Sequence, residues 1–247
     1  MTQPLPGSSA GPAVEDAREG AKRAAAEAAV DRFVRSGMTL GLGTGSTAVW
    51  AVRRIGALLA TGELRDVAGV PTSELTAQHA TEAGVPLTSL DLHPRLAVTI
   101  DGADEVSPAL DLVKGGGGAH LREKIIAQAS EQLVIVVDEP KLVPAIGSTR
   151  GIPIEVVRMA LRTEREFLES LGATVTERRA PDGSAPFVTD QGNRILDAFF
   201  GPIADPAGLV RTLEARAGIM AIGLFVGFDP VVLVASADGV RELSRDS

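Results

Sequence analysis

The segment TIDGADEVSPALDLVKGGGGAHLREK, residues 99–124, gathers carboxylates, a lysine and four consecutive glycines directly after an apolar run. Such a mix is poor core material. It suits a site in which carboxylates move protons, an ammonium stabilises developing negative charge, and amides stand unobstructed by side chains. Asp101 and Asp104 bracket the small residues Gly102 and Ala103, which let backbone approach a ligand, and they follow Leu96 to Ile100, a buried-strand pattern. Both carboxylates therefore fall at the C-terminal edge of a strand, where open α/β sheets bind ligands. Lys114 opens a loop of Gly115, Gly116, Gly117 and Gly118 whose N–H groups can face an anion or oxyanion. The helix expected next, from about Ala119 to Ser130, carries Glu123 in its first turns and presents it back toward the loop.

A second cluster is GLGTGSTA at 41–48. Gly41, Gly43 and Gly45 permit a tight strand-to-helix turn, while Thr44, Ser46 and Thr47 supply hydroxyls. Ser46 and Thr47 can cap the helix or offer N–H groups to a phosphate at the positive end of its dipole. The turn is neither standard nucleotide motif: the dinucleotide pattern needs glycine where Ser46 stands, and the phosphate-loop lysine is absent. Read alone, a phosphate cradle and a structural turn fit it equally well. In isolation Asp101 and Asp104 would likewise read as turn caps, and Lys114 and Glu123 as solvated charges. Their company raises the functional reading of each.

The elements that must position these residues alternate along the chain. An Ala-rich helix is expected from about Val14 to Ser36, then a strand Met38 to Leu42 and a helix to about Ala60. A strand near Val67 to Val70, a helix Ser73 to Ala83, the strand Leu96 to Ile100 and a β-branched strand Leu133 to Val137 continue a βα repeat with a parallel sheet. The pattern then changes. Strands Ile152 to Val157 and Ala173 to Arg178, a hairpin of Phe187 to Thr189 and Arg194 to Phe199, and helices Arg162 to Leu171 and Pro206 to Arg216 suggest antiparallel pairing. Ile219 to Val226 and Val231 to Ala235 read as two more strands, the last returning to the first sheet. The expected fold is α/β: a Rossmann-like parallel-sheet domain (16–147 plus 224–247), a smaller α+β, ferredoxin-like domain (148–223) and a disordered tail (1–15).

Composition removes several function classes. The 247 residues are 45% hydrophobic and 23% charged, enough to bury a sizeable core. A net charge of −8 and 3% aromatic residues argue against a nucleic-acid partner. With no cysteine, disulfides, thiolate metal sites and a cysteine nucleophile are excluded, which suits a cytoplasmic protein. No apolar run approaches the roughly 18 residues of a membrane span, and no signal peptide is evident. His79, His93 and His120 are scattered, so neither a metal nor another cofactor is expected. Trp50 is expected in the core.

GLGTGST at 41–47, DGADE at 101–105, KGGGGA at 114–119 with REK at 122–124, and VVDEPK ending at Lys141 resemble the motifs of ribose-5-phosphate isomerase type A. The likeness continues through GIPIEV at 151–156, VTDQGNRILD at 188–197 and the late pair Asp238 and Gly239. The resemblance implies a metal-free aldose-ketose isomerase of the pentose phosphate pathway. It would interconvert D-ribose 5-phosphate and D-ribulose 5-phosphate on a two-domain α/β fold that forms a homodimer or homotetramer. Carried over by motif, Thr44 to Thr47, Asp101 to Asp104, Lys114 to Gly117 and Lys141 bind the sugar phosphate, and Glu123 accepts the proton. The family's N-terminal phosphate-holding lysine falls on Lys22 or Arg23. His120 stands where the family has a small residue.

The chemistry of the side chains agrees with that resemblance. Moving a carbonyl between neighbouring carbons needs a desolvated carboxylate to carry a proton from one to the other, which suits Glu123. Lys114 and the loop N–H groups would stabilise the enediolate oxygen, and Asp101 with Asp104 would serve ring opening and hydroxyl proton transfer. Orienting the open-chain sugar by its phosphate would supply about 7 kcal/mol. Other readings are a non-catalytic sugar-phosphate-sensing domain, a coenzyme A transferase and an amino-sugar phosphate deaminase. A sensor of the transcription-regulator kind needs a DNA-binding module, and the short N-terminal stretch leaves no room for one.

Overall fold

The computed structural model of the protein describes residues 12–236 and 239–245. The chain opens with α1 (Pro12–Phe33), β1 (Thr39–Leu42), α2 (Ala48–Thr61), β2 (Ala68–Pro71), α3 (Glu74–Glu82) and β3 (Leu96–Asp101). Two short strands follow, β4 (Glu105–Val106) and β5 (Leu112–Val113), then α4 (His120–Gln128) and β6 (Ser130–Asp138). Next come β7 (Ile152–Val156), α5 (Leu161–Ser170), β8 (Thr174–Glu177), β9 (Arg194–Phe199), α6 (Pro206–Glu214) and β10 (Ile219–Ile222). The chain closes with β11 (Leu224–Phe225), β12 (Val231–Ser236) and β13 (Gly239–Leu243).

The large sheet runs β13-β12-β6-β3-β1-β2, parallel except for the edge strand β13. Its central strands are apolar on both faces because both are covered. Val134 and Val136 of β6 turn to one face, where Ala25, Ala26, Ala29 and Val30 of α1 pack. Leu133, Ile135 and Val137 turn to the other, against Phe225, Leu112 and Ala127. Each such buried Val, Leu or Ile contributes about 1.5–3 kcal/mol. From β1 the chain steps to β2 on one side and then to β3 on the other. The crevice beyond the C-terminal ends of β1 and β3 is therefore the topological switch point of the sheet, the usual ligand position in such folds.

The second sheet, β10-β7-β9-β8, is antiparallel, and its βαββαβ order is the ferredoxin-like arrangement expected. Leu168 of α5 and Leu213 of α6 pack on Ile152, Ile154 and Val156 of β7. Its strands run from Ile152 to Ile222.

Several details depart from expectation. The segment 219–226 is two strands in different sheets, β10 in the small one and β11 in a three-stranded sheet with β5 and β4. Gly223 makes the switch: its N–H donates to Pro153 O at 2.7 Å and its carbonyl accepts the Lys114 N–H at 2.8 Å. The expected hairpin of 187–189 with 194–199 does not form as paired strands, because β7 and β8 take both sides of β9. Only its turn survives, with Thr189 N–H on Asn193 O at 3.1 Å. Of the expected tail, residues 12–15 begin α1, while 1–11 lie outside the described residues, as does Asp238. Trp50 only flanks the core, its ring near the guanidinium groups of Arg23 and Arg53.

Candidate active site

Three chain segments meet at the switch point. From β1 the chain passes through Gly43, whose N–H donates to Ile100 O at 3.0 Å. A Cβ at Gly43 would lie 2.5 Å from the Ile100 carbonyl oxygen and from Asp101 Cα, so only glycine lets the two strand ends come this close. That approach places the Thr44 N–H 3.1 Å from Asp101 Oδ1, which also accepts the Gly102 N–H at 2.8 Å. The third segment is the β4–β5 hairpin. Glu105 pairs with Val113, so the residues flanking the pair, Asp104 and Lys114, emerge side by side at one end. The Asp104 N–H on Val113 O at 2.7 Å and the Lys114 N–H on Gly223 O fix that end.

Lys114, 2% exposed, donates from Nζ to Asp101 Oδ2 at 2.8 Å and to the Gly102 carbonyl at 2.5 Å. Its Nζ also lies 3.4 Å from Glu123 Oε2, an ion-pair distance long for a hydrogen bond. Glu123, 4% exposed in the first turn of α4, leaves that oxygen without a hydrogen bond among the described residues. One cation thus sits between two buried carboxylates. Burial would lower the Lys114 pKa, but the charges of Asp101 and Glu123 outweigh it and push it up to about 12. Burial pushes Glu123 up to about 8; Lys114 pulls against this and the Asp101 charge adds to it. A carboxylate poised near neutral pH beside a fixed cation can remove a weakly acidic proton while the cation receives the resulting charge.

These groups open on a cavity of about 210 Å³. Its wall includes Thr44 to Thr47, Gly102 to Asp104, Lys114 to Gly117, Glu123 and Lys141, so the structure brings together all the residues carried over by motif but one. The exception is Asp101, 1% exposed, which lies behind the wall with both oxygens engaged by Thr44, Gly102 and Lys114. Asp104 is on the wall, its Oδ2 accepting the Gly116 N–H at 2.7 Å and its Oδ1 3.9 Å from Lys141 Nζ. The Thr44 hydroxyl turns away, into a cluster with Thr72, Ser73 and Thr76 at 2.7–2.9 Å. Thr47 makes no side-chain cap on α2, so its hydroxyl is not spent on the helix.

Four wall residues were not singled out or not settled from sequence. Lys22 of α1 reaches the wall, pairing with Glu19 at 2.9 Å and lying 3.5 Å from Ser46 Oγ, whereas Arg23 pairs with Glu27 at 2.8 Å and is not on the wall. Val136, Val137 and Asp138, at the C-terminal end of β6, complete the set. Their signal was the polar VVDEPK stretch at the end of an apolar strand. His120 is fully buried beneath the loop and is not on the wall. Burial, then the Arg178 and Lys124 charges, push its pKa down to about 3, so it is neutral at working pH. Among the described residues no cluster of three or more His, Cys, Asp or Glu is arranged to hold a metal ion. Among them, too, no helix is long and apolar enough to cross a membrane.

Comparison with known proteins identifies the family. The model of the family described as Ribose 5-phosphate isomerase A (phosphoriboisomerase A) matches residues 68–239. Ribose-5-phosphate isomerase A of Chloroflexus aurantiacus is 51% identical over 223 residues, covering 90% of this chain and 93% of the relative. The protein of the same name from Desulfatibacillum aliphaticivorans is 49% identical over 222 residues, covering 90% and 96%. A D-ribose-5-phosphate isomerase solved with phospho-erythronic acid superposes with a TM-score of 0.89 at 37% identity, over 92% of this chain and 99% of that one. The Plasmodium falciparum ribose 5-phosphate isomerase does so with a TM-score of 0.89 at 38% identity, over 93% and 100%. The chain belongs to the ribose-5-phosphate isomerase A family.

Proposed function

We propose that this protein interconverts D-ribose 5-phosphate and D-ribulose 5-phosphate through an enediolate, as an enzyme of the non-oxidative pentose phosphate pathway. The observation that carries this is the buried Glu123 carboxylate, 3.4 Å from Lys114 at the wall of a polar cavity on the sheet's switch point. In this reading Glu123 takes the proton from C2 of the open-chain aldose and returns it to C1. Lys114 and the Gly117 amide hold the charge that develops on the oxygens. Ring opening and the hydroxyl proton fall to Asp104, the carboxylate on the wall. Asp101, with both oxygens engaged, instead fixes Lys114. A non-catalytic sensor has no use for a carboxylate held uncomfortably near neutral pH without a hydrogen bond on one oxygen. The division into 16–147 plus 224–247 and 148–223 is part of the same proposal, supported by the sheet membership of the strands. So are a homodimer or homotetramer and a cytoplasmic location, supported by family membership and the lack of cysteine.

The direct test is isomerase activity on ribose 5-phosphate with no added metal; a folded preparation with no turnover would refute the reading. Activity is expected to survive exhaustive treatment with EDTA, because Lys114 already supplies the positive charge a metal would provide. Loss of activity that a divalent ion restores would show otherwise. The phosphate is assigned to Ser46, Thr47, the N-terminus of α2, Lys22 and Lys141, all of which line the cavity. Thr47→Val keeps the volume and removes a hydroxyl, so it should raise KM more than it lowers kcat. Calorimetry with 4-phosphoerythronate should weaken in Thr47→Val and Lys141→Ala alike; unchanged affinity in both would move the phosphate elsewhere.

A further inference from the structure

The glycine loop is held from outside the large sheet. Arg178, directly after β8, donates from Nη1 to the carbonyl oxygens of Gly115 at 2.6 Å and Gly116 at 3.1 Å. Its Nε donates to Asp197 Oδ2 at 2.9 Å and its Nη2 to Oδ1, so a carboxylate on β9 grips the guanidinium at two points. The two side chains are 15% and 29% exposed. The two-point grip fixes the plane of the guanidinium and so the direction of its remaining N–H groups.

That direction matters because C=O and N–H point opposite ways across a trans peptide, and the described residues contain no cis bond. With the Gly115 carbonyl held by Arg178, the Gly116 N–H points away, onto Asp104 Oδ2 at 2.7 Å. With the Gly116 carbonyl held likewise, the Gly117 N–H is turned to the opposite side, toward the cavity that Gly117 lines. Within the loop the Gly118 N–H also donates to the Gly115 carbonyl at 2.9 Å. Arg178 therefore reinforces that anchor and adds a hold on the Gly116 carbonyl, which orients the amide open to the ligand. Consecutive glycines have no side chains to fix those peptide planes themselves.

We infer that Arg178 and Asp197 are positioning residues for turnover, through which the small domain holds the glycine loop in its oxyanion-binding orientation. This rests on the isomerase reading and gives the small domain a part in it. The VTDQGNRILD stretch, which ends at Asp197, thereby gains a role that its sequence did not reveal.

The test is kinetic and calorimetric, on Arg178→Gln, Asp197→Asn, their combination and Arg178→Lys, each first shown to be folded. Arg178→Gln should lower kcat by roughly 10²-fold with KM little changed, the size expected when a reacting geometry is displaced by about 1 Å. Affinity for 4-phosphoerythronate should fall with kcat while affinity for inorganic phosphate stays as in the wild type. Arg178→Lys keeps the charge but loses the two-point grip and should recover little. The double variant should be no slower than the slower single one, since the pair acts as a unit. Should Arg178→Gln fail to fold, Asp197→Asn is read in the same way. A folded variant with wild-type kcat, or one that loses both ligands equally, overturns the assignment and leaves the isomerase reading standing. Wild-type protein that does not isomerise ribose 5-phosphate overturns both.

Discussion

Glu123→Gln is expected to fold, to bind 4-phosphoerythronate nearly as the wild type does, and to lose turnover by roughly 10²-fold to 10⁴-fold. The substitution keeps the side-chain shape and removes only the ability to accept a proton from carbon, so the loss should appear in kcat and in kcat/KM together. The pH profile sharpens the test. Only the ionised carboxylate works as the base, and burial holds the Glu123 pKa up at about 8. Wild-type kcat/KM should therefore climb about tenfold per pH unit below that value and level off above it. Glu123→Asp should keep the climbing limb at lower activity, because it still has a titrating base, displaced by one methylene. In Glu123→Gln the limb should vanish from whatever activity remains. Near wild-type turnover in folded Glu123→Gln would remove the residue from the chemistry.

Much of this site was legible because α/β folds concentrate their polar residues where apolar strands end. Asp101 ends a buried strand, Asp104 lies three positions beyond it and the Gly43 turn directly follows another, so strand pattern and site pattern reinforced one another. Lys114 and Glu123 stood out for a different reason, a lysine and a carboxylate flanking four glycines. What periodicity could not show was the device that joins them. The strands β4 and β5 are two residues each, too short to repeat any alternation, yet their pairing is what sets Asp104 beside Lys114. Side-chain direction was equally hidden. Asp101 and Asp104 sit three positions apart in one small-residue motif, but one faces inward to Lys114 and the other faces the cavity. Contacts between distant segments leave no local trace at all: Lys22 beside Ser46 and Arg178 on Gly115 span 24 and 63 positions. The break at Gly223 was missed because an apolar run reads as one strand even when its halves pair with different sheets.

Lys114→Met should lower kcat by roughly 10²-fold to 10³-fold, the loss seen when a preorganised donor is taken from a developing oxyanion. Held charged by Asp101 and Glu123, with its pKa pushed up to about 12, this lysine keeps its proton throughout the working range. The proposed mechanism therefore uses it as a fixed positive charge rather than for proton transfer. Two further effects follow from its place between buried carboxylates. The Lys114 charge lowers the Glu123 pKa, so its removal should move any remaining pH limb upward, toward higher pH. It also leaves Asp101 Oδ2 without its 2.8 Å donor in a site 1–2% exposed, and breaking such a buried pair is destabilising by about 3–5 kcal/mol. Lys114→Met should therefore melt well below the wild type. Adding Asp101→Asn replaces the stranded carboxylate with a neutral amide of the same shape and should restore most of the stability. It should not restore turnover, since the charge that meets the enediolate is still missing. A Lys114→Met/Asp101→Asn protein that regained both would assign that stabilisation to the loop amides alone.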